Sequence, residues 1–284
     1  MNPPLPSLTR TWHNASYPAI SPHRPELAAT GKTIIIAGAG SGIGRATAQS
    51  FAKAGAQKIV LIGRTEASLR ETAKTLTCNT SVQVADVTDE EALRAIAAAT
   101  GQWDVMVLAA GYISPPASIR DASVAEWRQN FETNVLGSMV MSQVFLPTAN
   151  PDHATIVALT AAVVFPAARL QKMSGYITSK LAVVKLVEFL AAENSNLVAV
   201  ALHPGMIDTK VFRESGADPR HLPMDTVDLP GNFTVWLTSP EAAFLSGRCA
   251  WANWDVDELK DKADEIKSGL LLTSGIYGWP FNSP

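Results

Sequence analysis

Cysteine is scarce in this chain: Cys78 and Cys249 are its only two among 284 residues. Two thiols so far apart make neither a disulfide framework nor a metal-ligand spacing. Their scarcity suits a reducing, intracellular compartment, so a cytoplasmic protein is expected. The histidines His13, His23, His153 and His221 are scattered and have no ligand spacing, and no metal site is expected. No apolar run reaches the ~18 residues that would cross a membrane. The first residues lack the charged-then-apolar layout of a secretory signal. A net charge of −3 offers no basic surface for nucleic acid or an anionic membrane, so neither is expected as a partner. Internal repeats and low-complexity tracts are also missing.

What is present is an ordinary globular composition, 47% hydrophobic and 17% charged, long enough for one well-buried core. Residues 1 to about 30 are rich in proline (Pro3, Pro4, Pro6, Pro18, Pro22, Pro25), which removes backbone donors and opposes helix. This segment reads as an irregular arm over the surface, anchored by Trp12 and Tyr17, or as disordered chain. From residue 31 to 284 strands and helices alternate. Short β-branched or apolar runs mark strands at 33–37, 58–62, 81–85, 104–108, 154–158 and 197–201, with a seventh at 248–251. Helices are expected at 44–54, 66–76, 89–99, 125–146 and 176–193, and a charged, solvent-facing one at 255–267. Alternation of this kind implies an α/β fold: a single Rossmann-type, doubly wound parallel sheet of about seven strands with helices on both faces. The stretch at about 210–240 is poorly periodic and mixes Phe212, Met224, Phe233 and Trp236 with proline and glycine, as substrate lids do.

Between the first strand and helix lies Gly38-Ala-Gly-Ser41-Gly42-Ile43-Gly44. Glycines here let backbone approach a pyrophosphate, and the free N–H groups of the helix attract it. The spacing G-x-x-x-G-x-G departs from G-x-G-x-x-G, although Gly40 crowds the same turn. At the end of the second strand an acidic residue would bind the ribose 2′-hydroxyl of NAD. The chain has Arg64 there, which suits the 2′-phosphate of NADP by charge and forked hydrogen bonding, or is a solvated arginine at a helix start. NADP(H) is therefore expected over NAD(H). Asp86, after the third strand, either accepts a hydrogen bond from the adenine amino group or caps the next helix.

Tyr176 and Lys180, four residues apart, share one helix face. A nearby ammonium favours phenolate and lowers a tyrosine pKa that is ordinarily near ~10. Such a pair can exchange a proton with an alcohol or carbonyl oxygen.

The glycine turn, Asp86-Val87, Ala110-Gly111, Asn134, Tyr176 with Lys180, and Pro204-Gly205 stand in one order at matching distances. Together they resemble the short-chain dehydrogenase/reductase family from about Gly31 to Trp254. The arm and the ending Trp251-Ala-Asn-Trp254 resemble a filamentous-fungal branch that often serves secondary metabolism. The resemblance implies that Asn134 holds a water relaying protons to Lys180, and that Lys180 also binds the nicotinamide ribose. It sets Pro204, Ile207 and Thr209 against the nicotinamide and implies transfer of the pro-S hydride. It further implies a homodimer or homotetramer built through the helices carrying Asn134 and Tyr176.

Three positions depart from the family. Its threonine before the first glycine is Ala37, and its N-N-A-G turn is Leu108-Ala-Ala-Gly111. Its serine after the fifth strand, which bonds the reacting oxygen, falls at Ala161 counted from the strand and near Val163 counted back from Tyr176. Thr160 is the nearest hydroxyl. It points away from the site if the strand stays regular, and inward if a bulge shifts the register. Ser174 is another donor within reach. Losing one such donor typically costs about 10²–10³ in rate.

The expected function is an NADP(H)-dependent oxidoreductase that interconverts a ketone and a secondary alcohol. Tyr176 serves as acid/base, and Thr160 or a substrate group replaces the serine. Phe165, Met206, Phe212 and Trp236 suggest a small hydrophobic, even polycyclic, substrate, or are ordinary core. Two alternatives follow from the same residues. One keeps the scaffold for a non-redox cyclisation, isomerisation or elimination; the other is a nucleotide-binding protein without turnover. His203 reads as a packed loop residue.

Overall fold

The computed structural model describes residues 3–276. Its centre is one seven-stranded parallel sheet in the order β3-β2-β1-β4-β5-β6-β7. The strands are β1 (Thr33–Ala37), β2 (Lys58–Gly63), β3 (Asn79–Val84), β4 (Val105–Leu108), β5 (Ala154–Leu159), β6 (Leu197–His203) and β7 (Arg248–Trp251). β1, β4 and β5 carry runs such as Ile34-Ile-Ile36 and Val105-Met-Val107, buried on both sides because helices cover both faces. The order reverses between β1 and β4, which opens a crevice at their carboxyl ends.

One face is covered by α1 (Gly42–Lys53) and α8 (Asp228–Leu237), the other by α3 (Glu90–Thr100), α5 (Gly137–Phe145) and α6 (Ser174–Glu193). α2 (Glu66–Ala73), α4 (Val124–Phe131), α7 (Lys210–Glu214), α9 (Val256–Lys260) and α10 (Ala263–Ser268) complete the helices. No helix among the described residues is long and apolar enough to cross a membrane.

Several expected elements take a different form. The single helix expected at 125–146 is two, α4 and α5, joined by a π-helical turn, Glu132–Leu136, in which Gly137 N–H bonds the carbonyl of Glu132. The charged helix at 255–267 is the pair α9 and α10, and it buries Val256, Leu259 and Ile266 rather than facing only solvent. The expected lid divides. Its second half is α8, buried from Leu229 to Leu237, with Phe233 and Trp236 fully enclosed. Packing against α1 overrides what proline and glycine suggest there: Gly231 approaches so closely that a Cβ would lie 2.7 Å from Ser50 Oγ.

The described part of the N-terminal arm is ordered, although irregular. Trp12 is 3% exposed and pairs in an isolated bridge with Trp254, and Tyr17 Oη donates to the Trp254 carbonyl at 2.9 Å.

Candidate active site

The turn after β1 is shaped by close backbone approach. Gly38 has φ +84°, and a Cβ there would lie 2.6 Å from Ala110 N. A Cβ on Gly44 would lie 2.3 Å from the Gly38 carbonyl oxygen. Neither position admits a side chain, so the turn after β4 and the start of α1 press directly on the glycine turn. Ser41, the N-cap of α1, makes no side-chain cap bond, so no hydroxyl shields the first amides of the helix from an anion. Ile43 packs against the core. These features fit a pyrophosphate group. Arg45 braces the turn by donating to the Gly40 carbonyl at 2.6 Å and to Thr72 Oγ1 at 3.0 Å.

Arg64 lies at the end of β2, 70% exposed, and its nearest acidic partner is Asp86 at 3.8 Å. Asp86 does not cap α3; that cap is Asp89, whose carboxylate accepts from Ala92 N–H. Asp86 Oδ1 instead accepts from Thr88 N–H and Oγ1. Val87 is buried against Gly137, where a Cβ would meet Val87 Cγ2 at 2.5 Å.

Asn134 sits in the π turn and is 1% exposed. π turns concentrate at functional sites because the extra residue re-aims a side chain. Here Asn134 Oδ1 accepts from Tyr112 N–H at 2.8 Å, and Nδ2 donates to the Tyr112 carbonyl and to Ser179 Oγ, both at 2.9 Å. Asn134 thus ties the turn after β4 to α6. A Cβ on Gly111 would lie 3.5 Å from Asn134 Oδ1 and 3.6 Å from Lys180 Nζ, so both side chains converge on this glycine.

Lys180 is 4% exposed, and its Nζ donates to the Leu159 carbonyl at 2.8 Å. Nζ stands 5.9 Å from the centroid of the Tyr176 ring. Burial lowers the Lys180 ammonium to about 8 and raises the Tyr176 phenol to about 12. The lysine was expected to depress the tyrosine. In the ligand-free chain desolvation dominates, and Lys180 directs its charge at a backbone carbonyl instead.

Thr160 continues the β5 register, with its N–H donating to the Leu202 carbonyl at 2.8 Å. Its Oγ1 donates to the Lys180 carbonyl at 3.1 Å, and the residue is 3% exposed. The hydroxyl therefore faces α6, as a regular strand dictates, and its proton is committed there. Ala161 and Val163 follow without a hydroxyl. Ser174 Oγ accepts from Trp127 Nε1 at 3.3 Å. Phe165 lies edge-on to Trp251 at 5.9 Å, so Phe165 and Trp236 both belong to packing rather than to an open pocket wall.

Past β6, Pro204 and Ile207 are buried, and Thr209 faces the glycine turn: its Cγ2 would lie 3.1 Å from a Cβ on Gly42. His203 stacks on Trp251 at 4.0 Å, and its Nδ1 accepts the Gly205 N–H at 3.1 Å. Burial pushes it down to about 4, so it is a neutral packing residue at pH 7.

The glycine turn, Ala110-Gly111, Asn134, Lys180 and the Pro204–Thr209 loop thus gather at the carboxyl ends of β1, β4, β5 and β6. Ser179 and Arg45, which brace this assembly, carry no spacing signal that the sequence reveals.

Residues 32–220 match the family model described as short chain dehydrogenase. The chain is similar to a short chain dehydrogenase/reductase, AacuD, of Aspergillus aculeatus, at 32% identity covering 94% of this chain and 96% of that one. It is also similar to the short chain dehydrogenase citE of Monascus ruber, at 31% identity covering 94% and 97%. Among solved structures it resembles a putative NAD(P) dependent gluconate 5-dehydrogenase of Beutenbergia cavernae with NADP bound at low occupancy. There the TM-score is 0.71 and the identity 28%, covering 82% of this chain and 99% of the other. By the family model and these relatives, the chain belongs to the short-chain dehydrogenase/reductase family of nicotinamide-binding oxidoreductases, in its fungal branch.

Proposed function

We propose that this protein is an NADP(H)-dependent oxidoreductase that interconverts a ketone and a secondary alcohol on a hydrophobic secondary metabolite. The observation that carries the reading is the convergence on Gly111 of Asn134, from the π turn, and Lys180, from the helix that bears Tyr176, beside a glycine turn too tight for a side chain at Gly38 or Gly44. When bound, the nicotinamide supplies or accepts the hydride. With its phenol raised to about 12, Tyr176 holds its proton at neutral pH and is poised as a general acid. In the direction of reduction the phenol protonates the carbonyl oxygen, and the Lys180 ammonium stabilises the phenolate left behind; oxidation reverses these steps. Lys180, near 8, can then return a proton.

NADP(H) is favoured because Arg64 is exposed at the end of β2 and only loosely paired. Gly38, Ser41, Gly42, Ile43 and Gly44 would hold the pyrophosphate, Asp86 and Val87 the adenine side, and Ala110, Gly111, Pro204, Ile207 and Thr209 the nicotinamide side. With the Thr160 proton committed to the Lys180 carbonyl, a polar group on the substrate supplies the second hydrogen bond to the reacting oxygen. Met206 and Phe212 are the remaining half-buried apolar candidates for the substrate side. Exposed Leu136 and Met139 on the Asn134 side, and Leu181 and Phe189 on α6, support a homodimer or homotetramer formed through these helices.

Product analysis with NADPH deuterated at the pro-S position, over apolar ketones and metabolite extracts, tests the reading. Deuterium in the product supports it. A product isomeric with its precursor, or an elimination product, formed without label and without consumption of NADPH would show a non-redox reaction and overturn it.

A further inference from the structure

The N-terminal arm and the segment that follows β6 meet at one carboxylate. Chain 206–225 leaves the sheet after Gly205 and returns at Asp225. Its two ends are tied to each other: Asp225 N–H donates to the Met206 carbonyl at 2.9 Å, and Met206 N–H donates to Asp225 Oδ2 at 2.7 Å. The other carboxylate oxygen, Oδ1, accepts from Asn14 Nδ2 at 2.6 Å and from Asn253 Nδ2 at 2.9 Å. Asn14 also holds the next residue, because its carbonyl accepts Thr226 N–H at 2.8 Å. Gly205, at φ +89°, makes room for this arrangement; a Cβ there would lie 2.5 Å from Asp225 Oδ2.

The arm that supplies Asn14 is itself firmly held. His13 N–H donates to the Asn253 carbonyl at 2.9 Å, and Asn253 Nδ2 returns a bond to the His13 carbonyl at 2.9 Å. The His13 ring stacks on Tyr17 at 3.5 Å and bonds Asp255 at 2.9 Å. Farther out, the ion pairs Arg213–Asp208 and Arg220–Asp218 join the segment only to itself. The segment nevertheless spans the mouth of the site. Thr209 faces Gly42, and a Cβ on Gly216 would lie 3.8 Å from Pro116 Cγ, beyond β4.

We propose that Asp225 and Asn14 are positioning residues for segment 206–225, so that the N-terminal arm fixes how far this cover stands open over the Asn134–Lys180 pocket. The role needs a carboxylate at 225, since three N–H donors converge on its two oxygens and an amide would turn a donor toward donors. It also needs an amide at 14. Hydrogen bonds to a charged acceptor are stronger than neutral ones, which makes this junction stiffer than a simple loop base. The inference rests on the proposed function only in naming the covered space a substrate site.

Hydrogen exchange by mass spectrometry on the full, ligand-free chain tests it, whether or not the protein transfers hydride. The variants are Asn14→Ala, Asp225→Asn and the exchange Asn14→Asp with Asp225→Asn. Each single variant is expected to speed exchange in peptides from 206–225 by about tenfold or more, with β1–β6 peptides unchanged. In the double exchange the amide introduced at 225 donates to the carboxylate introduced at 14 while Asn253 Nδ2 loses its acceptor, so protection is expected to recover in part, about threefold over Asp225→Asn. Unchanged exchange in 206–225, an equal rise across the sheet, or a double exchange no better than the singles would each overturn the proposal. Should Asp225→Asn fail to fold, Asn14→Ala alone decides by the same readout.

Discussion

Replacing Lys180 by methionine should change how stability depends on pH. Lys180 is 4% exposed, and burial lowers its ammonium from 10.5 to about 8. Unfolding returns it to water and to its ordinary value. Between those values the unfolded chain binds more protons than the native one, so stability rises with pH across this window. At ~1.4 kcal/mol per pKa unit, the wild type gains about 2 kcal/mol between roughly pH 7 and pH 9.5. The Lys180→Met variant lacks that gain. It also loses the Nζ bond to the Leu159 carbonyl, a cost of roughly 1–3 kcal/mol that is to first order the same at both pH values. The range stops short of the window from 10 to about 12, where Tyr176 contributes in the opposite sense. Urea denaturation of both ligand-free proteins at the two pH values measures the difference directly. The wild-type stability minus that of the variant should rise by about 2 kcal/mol. A gap that stays constant would refute a buried, depressed Lys180.

Four other outcomes are expected. Tyr176→Phe should reduce turnover by about 10²–10⁴ with NADPH binding intact, measured by initial rates and a fluorescence titration; unchanged turnover would remove Tyr176 from the chemistry. Arg64→Ala should weaken NADPH about tenfold and leave NADH unaffected, read from paired titrations. Gly44→Ala forces a Cβ to 2.3 Å from the Gly38 carbonyl, so a melting temperature lowered by several degrees and lost NADPH binding are expected. Phe189→Asp, at a residue 56% exposed on α6, should shift the protein toward monomer in sedimentation velocity if this helix forms the interface.

The strands and the glycine turn were legible because their signals are local. β1 and β7 begin and end where the residue pattern places them, since apolar runs bounded by turn residues have few other ways to be buried. The glycine turn is legible for a related reason: positive φ and contact under 3 Å exclude every other residue at Gly38. Elements whose state depends on neighbours were less legible. The π turn at Asn134 interrupts a sequence that is helical throughout, and α8 is buried despite a pattern that suggests a lid.

The sequence by itself determined the alternation of strand and helix, the parallel sheet, the tight turn after β1 and the pairing of Tyr176 with Lys180 on one helix. Each follows from spacing along the chain. Tertiary structure alone decided which way the Thr160 hydroxyl faces, that desolvation outweighs the lysine's effect on Tyr176, and that Asn14 and Asn253 meet at Asp225. These depend on residues 20 to 211 positions apart coming within hydrogen-bond reach, or on water being excluded around a charge. Neither effect leaves a periodic trace in the sequence, because each arises only when the folded chain closes around the group.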